Sequence, residues 1–102
     1  MSDVEETLAF QLTACEIPFD RQVQPIPGRK FAYDFQVDDI LIEVQGGVYM
    51  DKSGHNTGNG VTRDCEKNNL AVLNGYRTLM FTSKMVNDGV AVDLIEKCRR
   101  MK

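Results

Sequence analysis

The residues whose types and setting point most directly to chemistry are Asp34 and Glu43, in the segments Phe31-Ala32-Tyr33-Asp34-Phe35 and Ile42-Glu43-Val44-Gln45-Gly46-Gly47. Between them, Val37-Asp38-Asp39-Ile40 reads as a tight reversal. A two-residue loop at Asp38-Asp39 pairs Val37 with Ile40, Gln36 with Leu41, Phe35 with Ile42 and Asp34 with Glu43. Directly opposed residues of an antiparallel pair have Cβ atoms roughly 4.5–5.5 Å apart, and like charges there repel. A divalent cation relieves that repulsion, so the spacing predicts a metal site; the competing reading is two solvated carboxylates on an exposed sheet face.

Side-chain alternation supports the same pairing. Phe31, Tyr33, Phe35 and Val37 fall on one face of the first strand and Ile40, Ile42 and Val44 on one face of the second. Ala32, Asp34, Gln36, Leu41, Glu43 and Gln45 are left opposite. A slip of one residue would send one carboxylate to the wrong side.

The elements that must position this pair are legible in outline. Ser2 to about Glu16 reads as a helix with an apolar stripe of Val4, Leu8, Leu12 and Cys15. Glu5 flanks that stripe, and it also stands in a capping-box relation to Ser2, which would turn its carboxylate to the helix start. Arg21 to Gln24 forms a short strand before the Pro25-Ile26-Pro27-Gly28 break, and the hairpin follows. After Gly46-Gly47 a Gly-, Asn- and Ser-rich loop containing His55 runs to Gly60. A second helix is expected from Val61 to Asn74, with Val61, Cys65, Asn69, Val72 and Leu73 facing the core and Gly75 as its C′ residue. Lys67 then points away from the core stripe, toward solvent, at ~100° per residue. Tyr76 to Thr82 is a strand, Ser83 to Val86 a short helical turn, and Asp88 caps a last helix bearing Val90, Leu94, Cys98 and Met101. The order is αβββαβα, an α/β arrangement with a mixed sheet flanked by helices.

Composition narrows the function classes. At 102 residues, 42% hydrophobic and 26% charged, the chain reads as one ordinary globular domain over 1–102. No apolar run nears the roughly 20 residues of a membrane span, and the N-terminus has no signal-like segment, so a cytoplasmic protein without a membrane partner is expected. Cys15, Cys65 and Cys98 are widely spaced and read as buried thiols rather than a disulfide set or metal site. The formal net charge of −3 leaves no global basic footprint, although Arg29, Lys30, Lys52, Arg63 and Lys67 can form a local positive rim.

Taken in order, Glu5, Asp34, Glu43-Val44-Gln45, Gly46-Gly47, the His55 loop, and Arg63-Asp64-Cys65-Glu66-Lys67-Asn68 leading to Leu73-Asn74-Gly75-Tyr76-Arg77 resemble the PD-(D/E)XK nuclease superfamily. The likeness is to its small stand-alone, Vsr-like and phage-type endonucleases, and it covers nearly the whole chain. It implies a restriction-endonuclease-like core and a Mg²⁺-dependent DNA endonuclease, with Mn²⁺ able to substitute. The implied metal ligands are Asp34, Glu43 and the Val44 carbonyl, with Glu5 reaching toward a second metal or a water. It further implies a catalytic role for Gln45 and His55, and DNA contacts from Lys30, His55, Arg63 and Lys67. The motif's final Lys is Gln45 here, and an amide cannot accept a proton from water as a neutral amine can. Structure-directed cutting and a homodimer addressing two strands accord with the resemblance. The alternatives are a nuclease-derived DNA-binding module that has lost catalysis through Gln45, and an interaction domain with no nucleic-acid role. The first two demand salt-sensitive DNA binding; the third does not.

Overall fold

A computed structural model of the chain describes residues 3–45 and 59–101. Its elements are α1 (Asp3–Ala14), β1 (Asp20–Val23), β2 (Tyr33–Val37), β3 (Ile40–Gln45), α2 (Asn59–Leu73), β4 (Arg77–Thr82), α3 (Ser83–Asn87) and α4 (Val90–Arg100). The four strands form one sheet in the order β1-β2-β3-β4, antiparallel through β3 and parallel between β3 and β4. The parallel pair requires a crossover, and α2 lies in it. Leu8, Leu12, Val86, Ala91 and Ile95 from α1, α3 and α4 pack with Phe35, Val37, Ile40, Ile42 and Phe81 of the sheet. Ala71 of α2 packs instead with Tyr33, Leu41 and Ile26. The sheet is thus covered on both faces, the mixed α/β architecture expected. Among the described residues no helix is long and apolar enough to cross a membrane.

The hairpin register is the one expected, Val37 opposite Ile40, Gln36 opposite Leu41 and Phe35 opposite Ile42. Its Asp-Asp turn is held from outside. Asp38 adopts φ 55°, in the left-handed region that Asp tolerates better than most residues. Arg99 Nε donates to Asp38 Oδ2 at 3.3 Å, and Arg77 donates to Asp39 through Nε at 3.0 Å and Nη2 at 2.6 Å. Arg77 Nη1 also donates to the carbonyls of Cys98 and Met101 at 2.7 and 2.9 Å, at the end of α4 where carbonyls lack a full set of intrahelical partners. Because one guanidinium ties the turn, β4 and α4 together, Arg77→Leu is expected to lower the urea midpoint with an unchanged slope. Equilibrium unfolding followed by circular dichroism checks this, and an unaltered midpoint would contradict it.

Helix ends and faces differ in how well they follow the sequence pattern. Gly75 is the expected C′ residue of α2, at φ 91°, where Gly75 N–H bonds Val72 O and Tyr76 N–H bonds Ala71 O. The core faces of α2 and α4 do not follow the pattern. On α2, Cys65, Asn69, Val72 and Leu73 are exposed, and Ala71 is buried with Lys67, Asn68 and Leu70 partly covered. On α4 the buried residues are Ala91 and Ile95, while Val90, Leu94 and Met101 are exposed. Asp88 caps the end of α3, and Gly89 at φ 84° precedes α4 without a side-chain cap. Cys15 and Cys65 are exposed and Cys98 is only partly covered, so the expectation of buried thiols is corrected. Cys15 lies beyond the end of α1, and Cys65 is on the outer face that α2 acquires once its polar residues turn inward.

Candidate functional site

The sheet pairing between β2 and β3 ends at Phe35–Ile42, one residue short of Asp34 and Glu43. In place of a backbone partner, the Val44 N–H donates to Asp34 Oδ2 at 2.8 Å. The carboxylate thereby does the work of a ladder carbonyl, and the strand turns at this point. Tyr33 and Phe31 accordingly pack with Leu41 and Ala71, whereas Phe35 and Val37 pack with Ile40 and Ile42. The expectation that Phe31, Tyr33, Phe35 and Val37 share a face is corrected: alternation breaks at Asp34 because a side chain replaces the backbone in the ladder. The neighbouring strand is distorted at the same level. Gln22, between the pairs Arg21–Phe35 and Val23–Tyr33, has φ 50°, a left-handed conformation that costs a residue with a Cβ of order 1 kcal/mol or more.

The acidic residues converge there. Burial pushes the Glu43 carboxyl up to about 7; a hydrogen bond from Lys67 pulls against this, and the neighbouring Asp34 carboxylate, itself within hydrogen-bonding reach, adds to it. Glu5 is also raised, first by burial and then by Asp34, with Arg21 opposing. Asp34 on β2 therefore acts on an acid from α1 and on one from β3. Among the described residues no group of three or more His, Cys, Asp or Glu is arranged to hold a metal ion. Asp34 and Glu43 are nonetheless a donor set that suits Mg²⁺, which is commonly held by one or two carboxylates with water and a substrate phosphate completing its shell.

Lys67 belongs to this cluster, contrary to the outward orientation expected from the helical wheel. Its Nζ lies 2.7 Å from Glu43 Oε2 and 2.8 Å from the Ala32 carbonyl, 4.8 Å from the centre of the Tyr33 ring. The side chain is 18% exposed. The helix is rotated because polar contacts hold that face inward: Tyr33 Oη donates to the Lys67 carbonyl at 2.8 Å, and Thr78 Oγ1 donates to Asn68 Oδ1 at 2.7 Å.

A small cleft opens beside Glu43, lined among others by Gln45, Asp64, Lys67, Leu79 and Met80. Gln45 is exposed at the end of β3, while Lys30 and Arg63 are exposed and make none of the contacts of the carboxylate cluster. His55, Gly46 and Gly47 lie outside the described residues, as does Ser2, with which Glu5 was expected to form a capping box. Asp64, from the Arg63-to-Asn68 segment, lines the cleft, whereas Arg21 carries no motif signal. Arg21 Nη2 sits 3.0 Å from Glu6 Oε2 and 4.0 Å from Glu5 Oε1, with its guanidinium 5.3 Å from the Phe35 ring. Alternation on β1 with Glu5 and Glu6 nearby in sequence order does not reveal that contact, which depends on how α1 crosses the sheet.

The raised Glu43 carboxyl makes a thermodynamic prediction for the metal-free protein. A folded-state value above the ordinary 4.5 means that the folded form binds the proton more tightly, so its contribution to stability is full below about 4.5 and is lost as pH rises through about 7. Glu43→Gln is expected to flatten the fall in melting temperature between those two values, measured in EDTA; an identical profile for native and variant would contradict it.

No protein-family model matches the chain, and no curated protein matches it. Among solved structures the chain is similar to the homing endonuclease I-Bth0305I catalytic domain, with a TM-score of 0.69 and 23% sequence identity over 95% of this chain and 93% of that one. The four-stranded mixed sheet with helices on both faces is therefore similar in fold to that catalytic domain.

Proposed function

We propose that the chain is a metal-dependent DNA endonuclease of the PD-(D/E)XK type that hydrolyses phosphodiester bonds at Asp34 and Glu43. The observation that supports this most directly is the convergence of those two carboxylates where β2 and β3 part, with the Glu43 carboxyl raised to about 7 by burial and by its neighbour. The likeness in fold to a homing endonuclease catalytic domain agrees with it.

In this reading Asp34, Glu43 and the Val44 carbonyl hold Mg²⁺, and Mn²⁺ substitutes. The bound ion supplies positive charge to the phosphoryl group and lowers the pKa of water, the two requirements of hydrolysis near neutral pH. Asp34 is fixed in aim by the Val44 N–H at 2.8 Å. Glu43 is fixed between Asp34 and Lys67. Glu5 and the Gln45 amide orient the attacking water, His55 contacts the leaving side, and Lys30 and Arg63 bind flanking phosphates.

The test is cleavage of linear, nicked, mismatched and branched DNA with Mg²⁺, Mn²⁺ or EDTA. Cutting that requires the metal is the expected result. Salt-sensitive binding without cutting would overturn hydrolysis in favour of a DNA-binding module, the reading that the non-ionisable Gln45 favours. Neither binding nor cutting would overturn both.

A further inference from the structure

We propose that the outer edge of β4 is where a second copy of this chain docks, strand against strand about a two-fold axis at Met80. The surface follows from the sheet alone; its use in cutting both strands of a duplex rests on the hydrolysis reading.

β4 is an edge of the sheet, whose order is β1-β2-β3-β4. The Arg77 N–H bonds the Asp39 carbonyl at 2.9 Å, so Arg77 turns its backbone toward β3. In an extended strand the N–H and C=O of one residue point to the same side, and successive residues alternate. Leu79 and Phe81 therefore face β3, while Thr78, Met80 and Thr82 aim their backbone groups outward. Among the described residues no backbone group pairs with that side. α2 lies on the face of the sheet, its Ala71 packed with Tyr33 of β2 and Leu41 of β3, and does not continue the ladder.

The two edges of the sheet are built differently. β1 has four residues, includes Asp20 and Arg21, and is distorted at Gln22, φ 50°. Shortness, charge and distortion are the devices that keep an edge from pairing. β4 has six residues, and after Arg77 none is charged. Arg77 is itself held by Asp39 at 2.6 Å.

The occupant that fits is the same strand, inverted. Antiparallel pairing about Met80 sets Met80 against Met80 and Thr78 against Thr82, with no like charges opposed. The two Met80 residues exchange N–H···O bonds, and each Thr82 N–H reaches the Thr78 carbonyl of the other copy. The Thr82 carbonyl is already committed, because Thr82 is the N-cap of α3.

This pairing also sets the spacing of the two sites. Glu43 stands beside Met80 in the parallel register, and both line the same cleft. A two-fold axis perpendicular to the sheet keeps the clefts of both copies on one face. With strands about 4.8 Å apart and hydrogen-bonded partners about 5.5 Å apart, the two Glu43 Cα atoms fall roughly 15 Å from each other. Sites that close on one face can address the two backbones of one duplex, whose grooves are about 6 and 12 Å wide.

The test is sedimentation equilibrium of native protein, Met80→Pro and Met80→Lys from about 1 to 500 μM, the range of a modest interface. Native protein is expected to show a monomer–dimer equilibrium. Proline removes an N–H that β3 does not use and is tolerated at such an edge. Met80→Pro should therefore keep the native circular dichroism spectrum and raise the dissociation constant at least about tenfold. Met80→Lys sets two ammonium groups against each other across the axis without altering the backbone, and should do the same. Hydrogen exchange of the native Met80 amide should slow as protein concentration rises. A chain that is monomeric throughout the range, or a folded variant that dimerises within about threefold of native, would overturn the proposal. So would Met80 protection that does not depend on concentration, the result of pairing with another stretch of the same chain. None of these readouts involves cleavage, so failure of the dimer leaves hydrolysis standing, and a native protein that dimerises but cuts nothing overturns hydrolysis alone.

Discussion

Asp34→Asn is expected to reduce metal-dependent DNA cleavage by at least about 10³-fold while leaving the protein folded. The substitution conserves shape, and the amide oxygen can still accept the Val44 N–H that Asp34 Oδ2 accepts at 2.8 Å, so the local break in the sheet is preserved. What disappears is one of two negative charges. Losing a partner of a metal ligand typically costs 10- to 100-fold in affinity or activity, and losing the ligand itself costs more, because the charge stabilisation that the ion supplies at the phosphoryl group is lost as well. With that charge gone, the repulsion that holds the Glu43 carboxyl up also weakens. Metal-free Asp34→Asn should therefore melt no lower than native protein above neutral pH. Single-turnover rates at saturating Mg²⁺ check the first part and a thermal melt in EDTA the second. A variant that cuts within tenfold of native would contradict the assignment.

The second large effect is on stability. Phe35→Ala is expected to cost about 3–5 kcal/mol, the range for emptying a buried aromatic position. Phe35 is fully buried, stands 5.7 Å from the Phe19 ring, and lies under the Arg21 guanidinium. For a domain of this size the loss corresponds to a fall in melting temperature of roughly 15–30 °C. Phe10→Ala is the matched control: that ring is 73% exposed on α1, and its removal should change stability by about 0.5 kcal/mol or less. Similar melting temperatures for the two variants would mean that Phe35 is not where the core lies. Phe35 also adjoins Asp34 and supports Arg21, so this loss reaches the site as well as the sheet.

The hairpin was legible in the sequence because two independent patterns, alternation and a short acidic reversal, agree on one register. The glycine that ends α2 was legible because few other residues accept its backbone conformation. The inward faces of α2 and α4 were not. On α2 the inward face carries Lys67 and Asn68, which the periodicity of apolar residues cannot find, since these side chains are turned inward by Glu43, Ala32 and Thr78. Val72 and Leu73 suggest a core face yet are 56% and 79% exposed. On α4 a stripe of Ala91 and Ile95 prevails over the larger Val90 and Leu94, because the small Ala91 allows close approach to the packed layer of α1 and α3. The turn of β2 at Asp34 was hidden for a related reason: a carboxylate that replaces a ladder carbonyl leaves no mark on hydrophobic alternation. The proximity of Asp34 to Glu43 could be read from spacing, although they are not the ladder pair expected; the contact of Lys67 with Glu43 could not, since Lys67 comes from a helix across the crossover.

Titration of Mn²⁺ into native protein, Asp34→Asn and Glu43→Gln by isothermal calorimetry tests most directly whether these carboxylates form a shared metal site. The account predicts a binding isotherm in the native protein that is weakened at least tenfold, or lost, in both variants. Equal Mn²⁺ affinity in all three proteins would contradict it.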